Sequence, residues 1–255
     1  MPATDRSLFS VAYLVVAACA LLLSCAGQKE AGDRQILWRI VHDRCVAGQE
    51  QHDNPHPCTY VDLQDGYALF KDRVGPAQYL LMPTERVSGI EDPAILGDHA
   101  PNYWQAAWDA RKYVFRKLGH PLPRDGVGMA VNSSLGRTQD QLHIHIDCMK
   151  PEVTGLLAAV KDEIGTAWTR LPVRLQGHEY EAMLLKSGSL KGTNLFALLA
   201  AEHPDMGRET LVVTGITLTD GTSGFVLLSH HISPLHADFA NGEELLDHSC
   251  GLPKK

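Results

Sequence analysis

The feature that most constrains this chain is a strict alternation of polar and apolar residues near its middle. Residues 141–147 read QLHIHID. On a β-strand this alternation places Gln141, His143, His145 and Asp147 on one face and three aliphatic side chains on the other. The aliphatic face would anchor the strand in a core, so we expect the two imidazoles side by side on a rigid backbone. Imidazole serves as nucleophile, general base or metal ligand, which makes this face the leading candidate site.

The charge balance argues against a nucleic-acid partner. The 255 residues include 23 lysines and arginines against 30 aspartates and glutamates, a formal net charge of −7. Basic residues interleaved with aromatics, the usual signature of such a partner, do not occur as a run in the sequence. The length and a hydrophobic share of 44% suffice for a buried core, in one large domain or two small ones.

The N-terminal part of the chain has the composition of a membrane segment. The stretch from Leu8 to Leu23 is almost wholly apolar and follows a short start that contains Arg6. It is slightly shorter than the span of about 20 residues that crosses a bilayer, so a signal peptide and an uncleaved anchor both stay open. The residues Leu-Leu-Ser-Cys that end at Cys25 also resemble a bacterial lipobox, with Cys25 as the lipid-bearing residue. A buried core helix is disfavoured because the stretch has no polar face.

All three membrane interpretations can keep the rest of the chain outside the cytoplasm, and the cysteines agree with that location. Four cysteines remain beyond Cys25, an even number that is typical of an oxidising compartment. Cys45 and Cys58 flank a polar, proline-containing loop that a local disulfide would close, which leaves Cys148 to pair with Cys250. Their spacings do not fit a zinc cluster, so a structural metal site is the weaker interpretation.

Hydrophobic periodicity predicts an α+β fold with a mostly antiparallel sheet. Apolar runs over 67–71 and 78–82 flank a turn and predict a hairpin, and a 3.6-residue period predicts a helix over 103–118. A strand over 126–132 then leads through a polar loop into the histidine strand. Beyond residue 150 no tandem repeat is visible in the sequence. The predicted helices there cover 153–168 and 195–203, and the predicted strands cover 181–186, 210–218 and 225–230.

The polar loop before the histidine strand is rich in hydrogen-bond donors. Residues 132–139 read NSSLGRTQ and combine an amide, hydroxyl groups, a guanidinium and a glycine. Such a turn can direct backbone N–H groups and side chains at phosphate oxygens.

These segments resemble two groups of known proteins, one nested in the other. Asn132, the loop and the HIHI run at 143–146 resemble the signature of the histidine-triad (HIT) superfamily, and the matched order of elements covers roughly residues 60 to 150. More narrowly, the chain resembles the bacterial CDP-diacylglycerol pyrophosphatases over nearly its whole length. That resemblance rests on RTQ with HIHI, the apolar N-terminal stretch, LWRIVHDRC at 37–45 and DHSC at 247–250.

The resemblance implies three regions and an activity. Residues 1–33 would be the membrane anchor or signal segment with its linker, residues 34–150 a HIT-like catalytic core, and residues 151–255 a C-terminal α+β extension packed on that core. The implied reaction converts CDP-diacylglycerol, held in the bilayer, to CMP and phosphatidate without a cofactor, at the bacterial inner membrane on its extracytoplasmic side.

The resemblance also implies roles for individual residues. His143 would be the nucleophile that carries the nucleotidyl group, and His145 would contact the phosphate or the bridging oxygen. Gln141 stands where the wider HIT pattern has its first histidine, and its amide can still orient a neighbour. The residues implied to surround the phosphates are Asn132, Arg137, Thr138, Gln139 and Gln141.

Three alternatives stay open at this point. His143, His145 and Asp147 project from one strand and could form a facial metal site, although the donor-rich loop is better explained by a phosphate than by a cation. The enzyme could be a nucleotidyl hydrolase or transferase that acts on soluble nucleotides. A third interpretation is an envelope lipoprotein that binds nucleotides without catalysis. The sequence does not fix the oligomeric state.

Overall fold

The computed structural model describes residues 33–97 and 99–251. The predicted membrane segment and the candidate lipidation site at Cys25 lie outside these residues. Within the described ranges, no helix combines the length and the apolar character that crossing a membrane requires. Residues from Gln35 onward belong to one unit.

Ten antiparallel strands form one sheet at the centre of the described structure. They are β1 (Tyr60–Asp62), β2 (Tyr67–Lys71), β3 (Tyr79–Pro83), β4 (Val127–Val131), β5 (Ile144–Met149), β6 (Thr169–Arg170), β7 (Glu181–Leu185), β8 (Glu209–Thr217), β9 (Ser223–His231) and β10 (Leu246–Asp247). Nine of them lie in the order β1-β2-β3-β5-β4-β8-β9-β7-β6, and β10 pairs with β5. All of these pairs are antiparallel, which confirms the predicted α+β class and its antiparallel sheet.

Helices and short 3-10 turns connect the strands. The helices are α1 (Ile36–Arg39), which continues through a π-helical stretch (Ile40–Val46) into α2 (Ala47–His52), then α3 (Tyr103–Leu118), α4 (Pro151–Val160) and α5 (Leu195–Glu202). The 3-10 turns are Pro93–Ile95, Arg124–Gly126, Lys161–Glu163, Met206–Arg208, Pro234–His236 and Gly242–Leu245.

Two predicted helices had different outcomes. The helix predicted over 103–118 is confirmed as α3; the Asn102 side chain accepts a hydrogen bond from the N–H of Gln105, and Gly119 ends the helix at a φ of 80°. The helix predicted over 153–168 is wrong in its second half, because α4 ends at Val160. The reason is tertiary: the carbonyl of Gly165 accepts a hydrogen bond from the N–H of Leu184 on β7, so the chain there follows the sheet edge.

The order of elements repeats along the chain, although the sequence shows no tandem repeat. In the first half β3 leads through α3 to the hairpin of β4 and β5, and β5 lies between β3 and β4. In the second half β7 leads through α5 to the hairpin of β8 and β9, and β9 lies between β7 and β8. The halves meet where β4 pairs with β8, so the boundary predicted at residue 150 falls within a single sheet.

Strand β5 lies at the junction of three apolar clusters. Its aliphatic residue Ile144 packs in the core that contains α3. On the other face, His145 is the register partner of Leu80 on β3 and of Ala130 on β4. Leu80 packs in a cluster with the N-terminal helical segment, which comprises α1, the π-helical stretch and α2. Ala130 packs with α4 in a separate cluster. The sheet thus presents His145 in the gap between two covering layers.

Both predicted disulfides are confirmed. Cys45 is bonded to Cys58, and Cys148 is bonded to Cys250. The first bridge joins the N-terminal helical segment to the chain that enters β1. The second bridge holds the C-terminal segment against β5, the strand that carries His145.

Candidate active site

A cavity of about 570 Å³ opens beside the two histidines. It brings together the two histidines and the predicted phosphate-contact residues, but neither Gln141 nor Asp147 lines it. His143 and His145 are both buried at its wall. The lining residues are Ile36, Leu37, Ile40, Phe70, Asp72, Arg73, Val74, Leu80, Asn132, Gly136, Arg137, Thr138, Gln139, His143, His145, Asn241 and Glu243.

His143 is held in one tautomer by the backbone. Its Nδ1 lies 2.6 Å from the carbonyl oxygen of Gln141. A carbonyl oxygen only accepts hydrogen bonds, so Nδ1 donates and Nε2 of the neutral ring carries the lone pair. Burial lowers the pKa of His143 below its usual range, which outweighs the opposing effect of the hydrogen bond to Gln141. His143 is therefore a neutral imidazole with a free electron pair on Nε2.

His145 has the opposite tautomer. Its Nδ1 lies 2.9 Å from Nε2 of Gln78, and that amide nitrogen lies 3.0 Å from a carboxylate oxygen of Asp72. Because a carboxylate accepts, the group that faces both partners is the NH2, which donates to Nδ1 and leaves the proton on Nε2. The Nε2 atom is buried and has no hydrogen-bond partner among the described residues.

The two imidazole rings are neighbours with complementary hydrogen-bonding character. The centroids of His143 and His145 are 4.9 Å apart, with the planes at 67°. Burial lowers the pKa of His145 well below its usual range, and the neighbouring His143 and His248 lower it further. The site thus offers a lone pair from one ring and an N–H from the other, both without formal charge.

Glu243 is a carboxyl group of the site that the sequence did not reveal. One of its oxygens lies 3.2 Å from Nδ1 of His145, which carries a lone pair, so Glu243 donates to that nitrogen in its protonated form. Its other oxygen accepts a hydrogen bond of 3.0 Å from the amide of Asn132, whose oxygen in turn accepts from the N–H of Gly242 at 2.9 Å. Burial raises the pKa of Glu243 above its usual value. Asn132, predicted to contact phosphate, lines the cavity but also positions Glu243.

The donor-rich loop is anchored more firmly than the sequence suggested. Arg137 forms two hydrogen bonds of 2.6 Å to the carboxylate of Glu91, so its charge is already paired. The Gln139 side chain accepts a hydrogen bond of 3.1 Å from the N–H of Leu37 and so joins the loop to α1. Thr138 is exposed at the cavity. Arg137 lines the cavity with its charge paired to Glu91, Thr138 is accessible to a ligand, and the phosphate contacts expected of both stay predictions.

The side chain of Gln141 lies away from the cavity. It is fully buried, and its amide nitrogen donates to the carbonyl oxygens of Pro83 and Glu85 at 3.0 and 2.9 Å. Its amide oxygen accepts from the N–H of Val87 at 3.3 Å. The side chain therefore holds the loop after β3, and only the backbone carbonyl of Gln141 acts on the site, through His143.

Asp147 also faces away from the cavity, so the facial metal set considered for His143, His145 and Asp147 is not assembled. Asp147 lies 2.9 Å from Nδ1 of His248, and it accepts a hydrogen bond from the N–H of Cys148. Burial raises the pKa of Asp147, and the hydrogen bond to Asp147 raises the pKa of His248. The pair ties the C-terminal segment to β5, next to the second disulfide.

One side of the cavity is apolar. Ile36, Leu37 and Ile40 of the N-terminal helical segment line it together with Phe70 and Val74 of the first hairpin. Ile36 is 44% exposed and Val74 is 47% exposed, which places aliphatic surface at the cavity's opening. The cavity thus joins a polar, histidine-containing part to an accessible apolar part.

Comparisons with known proteins point to one family. The family model described as CDP-diacylglycerol pyrophosphatase matches residues 32–254. The chain is also similar to a Yersinia pestis protein named CDP-diacylglycerol pyrophosphatase, with 39% identity over 249 residues, which cover 96% of this chain and 93% of that relative. The matched region includes all of the cavity residues described above.

Proposed function

The chain belongs to the CDP-diacylglycerol pyrophosphatase family, and we propose that it hydrolyses the pyrophosphate bond of CDP-diacylglycerol to CMP and phosphatidate through a nucleotidyl group carried on His143. The observation that carries this proposal is the tautomer of His143. Its Nδ1 is occupied by the carbonyl of Gln141, so the nucleophilic pair is on Nε2, at the cavity.

In the first step Nε2 of His143 attacks the cytidylyl phosphorus. An N–P bond forms, the bond from that phosphorus to the bridging oxygen breaks, and the electron pair leaves with phosphatidate. Phosphatidate is a stable phosphate leaving group, so stabilisation of charge on the phosphoryl oxygens matters more than a strong acid. The Nε2–H of His145 is suited to that role, because it is buried in the cavity and has no other partner among the described residues.

In the second step water attacks the same phosphorus and releases one proton to the solvent. The N–P bond breaks, His143 regains its lone pair, and CMP leaves. Glu243 lies next to His145 and is held by Asn132. We assign Glu243 the role of a positioning residue: it fixes the His145 ring, so the Nε2–H keeps its direction during both displacements.

We further propose that the core is HIT-like. The support is the order of a hairpin, a helix, Asn132, a polar loop, His143 directly before β5 and His145 on β5. Within this proposal, Gln141 at the first triad position contributes its backbone carbonyl rather than a side chain.

We propose that the protein acts at the bacterial inner membrane, with its catalytic part on the extracytoplasmic side. The apolar stretch from Leu8 to Leu23 and the two disulfides support this location. A substrate that resides in a bilayer also suits the accessible apolar side of the cavity. This apolar side favours a lipid-linked nucleotide over a soluble nucleotide.

Hydrolysis in water enriched in oxygen-18 tests the proposed function. The purified protein should convert CDP-diacylglycerol to CMP and phosphatidate, with the heavy oxygen in CMP, because water attacks the cytidylyl phosphorus. Label in phosphatidate would place the attack on the other phosphorus and contradict the mechanism. Turnover of soluble nucleotides alone, or binding without turnover, would contradict the assigned substrate.

A further inference from the structure

A second cluster of histidines lines a larger cavity, of about 940 Å³, in the other half of the sheet. Ligand atoms of His178, His230 and Asp238 all lie within 4.8 Å of one another. His230 is on β9, the strand that occupies in the second half the place that β5 occupies in the first. None of these residues contributes to the cavity of His143, so the reaction described above does not use them.

His230 is prepared to bind a cation. Its side chain is 3% exposed, and its Nδ1 lies 2.9 Å from the carbonyl oxygen of Glu179. Nδ1 therefore donates, and Nε2 of the neutral ring carries a lone pair. That Nε2 lies 3.3 Å from a carboxylate oxygen of Asp238 and has no hydrogen-bond partner among the described residues. A lone pair and a carboxylate oxygen repel each other unless a cation lies between them.

His178 also has a lone pair that faces a carboxylate oxygen. Its Nδ1 lies 2.5 Å from Asp238, and its Nε2 lies 3.4 Å from a carboxylate oxygen of Glu244. A neutral imidazole has one N–H, so at least one of these carboxylates faces a lone pair. With both rings neutral, the cluster has more acceptors than donors, which argues for a positive ligand and against an anion.

We propose that His178, His230 and Asp238 bind one divalent transition-metal ion of the zinc type, with the Nε2–H of His178 donating to Glu244 on the side of the ring away from the metal. Two imidazoles with carboxylate oxygens form a donor set that zinc favours. The hydrogen bond from His230 to a backbone carbonyl is the usual support for a metal-binding histidine, because it fixes the ring and exposes the other nitrogen.

The position of Glu244 connects this site to the cavity of His143. Glu244 and its neighbour Glu243 are both on the 3-10 turn Gly242–Leu245. Glu244 faces His178, and Glu243 faces His145. A metal bound to the cluster would fix this turn from one side and so help to place Glu243 on the other.

Metal titration of the full-length protein in detergent tests the proposal. After treatment with EDTA and transfer to metal-free buffer, the protein should bind one equivalent of Zn²⁺ by calorimetry, and Co²⁺ should give the visible absorption of a low-coordinate site. His230→Ala and Asp238→Asn should each weaken binding about tenfold or more. His120→Ala, at an exposed histidine elsewhere, should bind as the wild type does.

Two further measurements keep the outcome unambiguous. Circular dichroism of the metal-free Asp238→Asn protein should match that of the metal-free wild type, so a loss of binding is not a loss of fold. His143→Ala should lose hydrolysis but keep the metal, which separates this inference from the proposed function. Failure of the wild type to bind one equivalent, unchanged binding in both His230→Ala and Asp238→Asn, or loss of binding in His143→Ala would overturn the proposal.

Discussion

The Nδ1 atom of His143 lies 2.6 Å from the carbonyl oxygen of Gln141, two residues earlier in the same chain. This contact fixes which nitrogen of the ring can react. In the neighbouring ring the amide of Gln78 faces Nδ1 of His145, so the proton is on the opposite nitrogen. The two imidazoles, one directly before β5 and one on it, thus have different chemical characters because their Nδ1 partners differ.

Substitution of His143 is expected to abolish turnover. His143→Ala removes the nucleophile, so kcat should fall by at least about 10³-fold, while the substrate still binds. The measurement is release of CMP from CDP-diacylglycerol, with circular dichroism to verify the fold. His120→Ala, at an exposed histidine that does not line the cavity, is the matched control and should leave kcat unchanged. Near-normal activity of His143→Ala would remove this residue from the mechanism.

Glu243 is expected to act on the rate rather than on binding. Glu243→Ala removes the group that holds the His145 ring through Nδ1, so we expect kcat to fall about 10²-fold with little change in KM. The exposed Glu202 offers a matched control, and Glu202→Ala should have wild-type kinetics. A Glu243→Ala protein that retains kcat to within about threefold would show that the His145 ring does not depend on this carboxyl group.

As the pH falls, kcat/KM should begin to decline only at a pH below the usual pKa of a histidine. Burial lowers the pKa of His143 below 6.5, and the nucleophile must be neutral. kcat/KM should therefore stay level as the pH falls through 6.5 and decline only on the acid side of that value. An acid limb with a midpoint above 6.5 would contradict the assignment.

The same depressed pKa affects stability. Above pH 6.5 the His143 ring is neutral in both the folded and the unfolded protein. Below pH 6.5 this ring binds a proton more readily in the unfolded chain than in the folded protein. This contribution to the free energy of unfolding is therefore lost as the pH falls from 6.5 towards the folded pKa. Circular dichroism at each pH separates this loss of fold from protonation of the nucleophile in the active enzyme.

The two disulfides should differ in their contribution to stability. Cys148 and Cys250 are separated by 102 positions, whereas Cys45 and Cys58 are separated by 13. Loop-closure entropy then favours the longer bridge by about 2 kcal/mol. Urea unfolding of the two double serine variants should show the larger loss of unfolding free energy for Cys148→Ser with Cys250→Ser. Equal losses, or a larger loss for the shorter bridge, would contradict this expectation.

Local sequence patterns predicted much of the fold but not the hydrogen bonds within the site. The alternation at 141–147 and the period of α3 are local signals that burial of an apolar face explains. The sequence could not show that Asn132 binds Glu243, because the two are 111 positions apart and meet only when the turn before β10 reaches β4. Likewise Gln141 reads as a polar residue on the histidine face, yet its amide serves three backbone groups of another loop.

The stereochemical course at the cytidylyl phosphorus tests the central claim most directly, since it does not require the intermediate to accumulate. A CDP-diacylglycerol analogue with one sulfur of known configuration on that phosphorus is hydrolysed in water enriched in oxygen-18, and the configuration of the labelled CMP thiophosphate is determined. Two in-line displacements, first by Nε2 of His143 and then by water, predict overall retention of configuration. Inversion would show a single direct attack by water and would contradict a nucleotidyl group on His143.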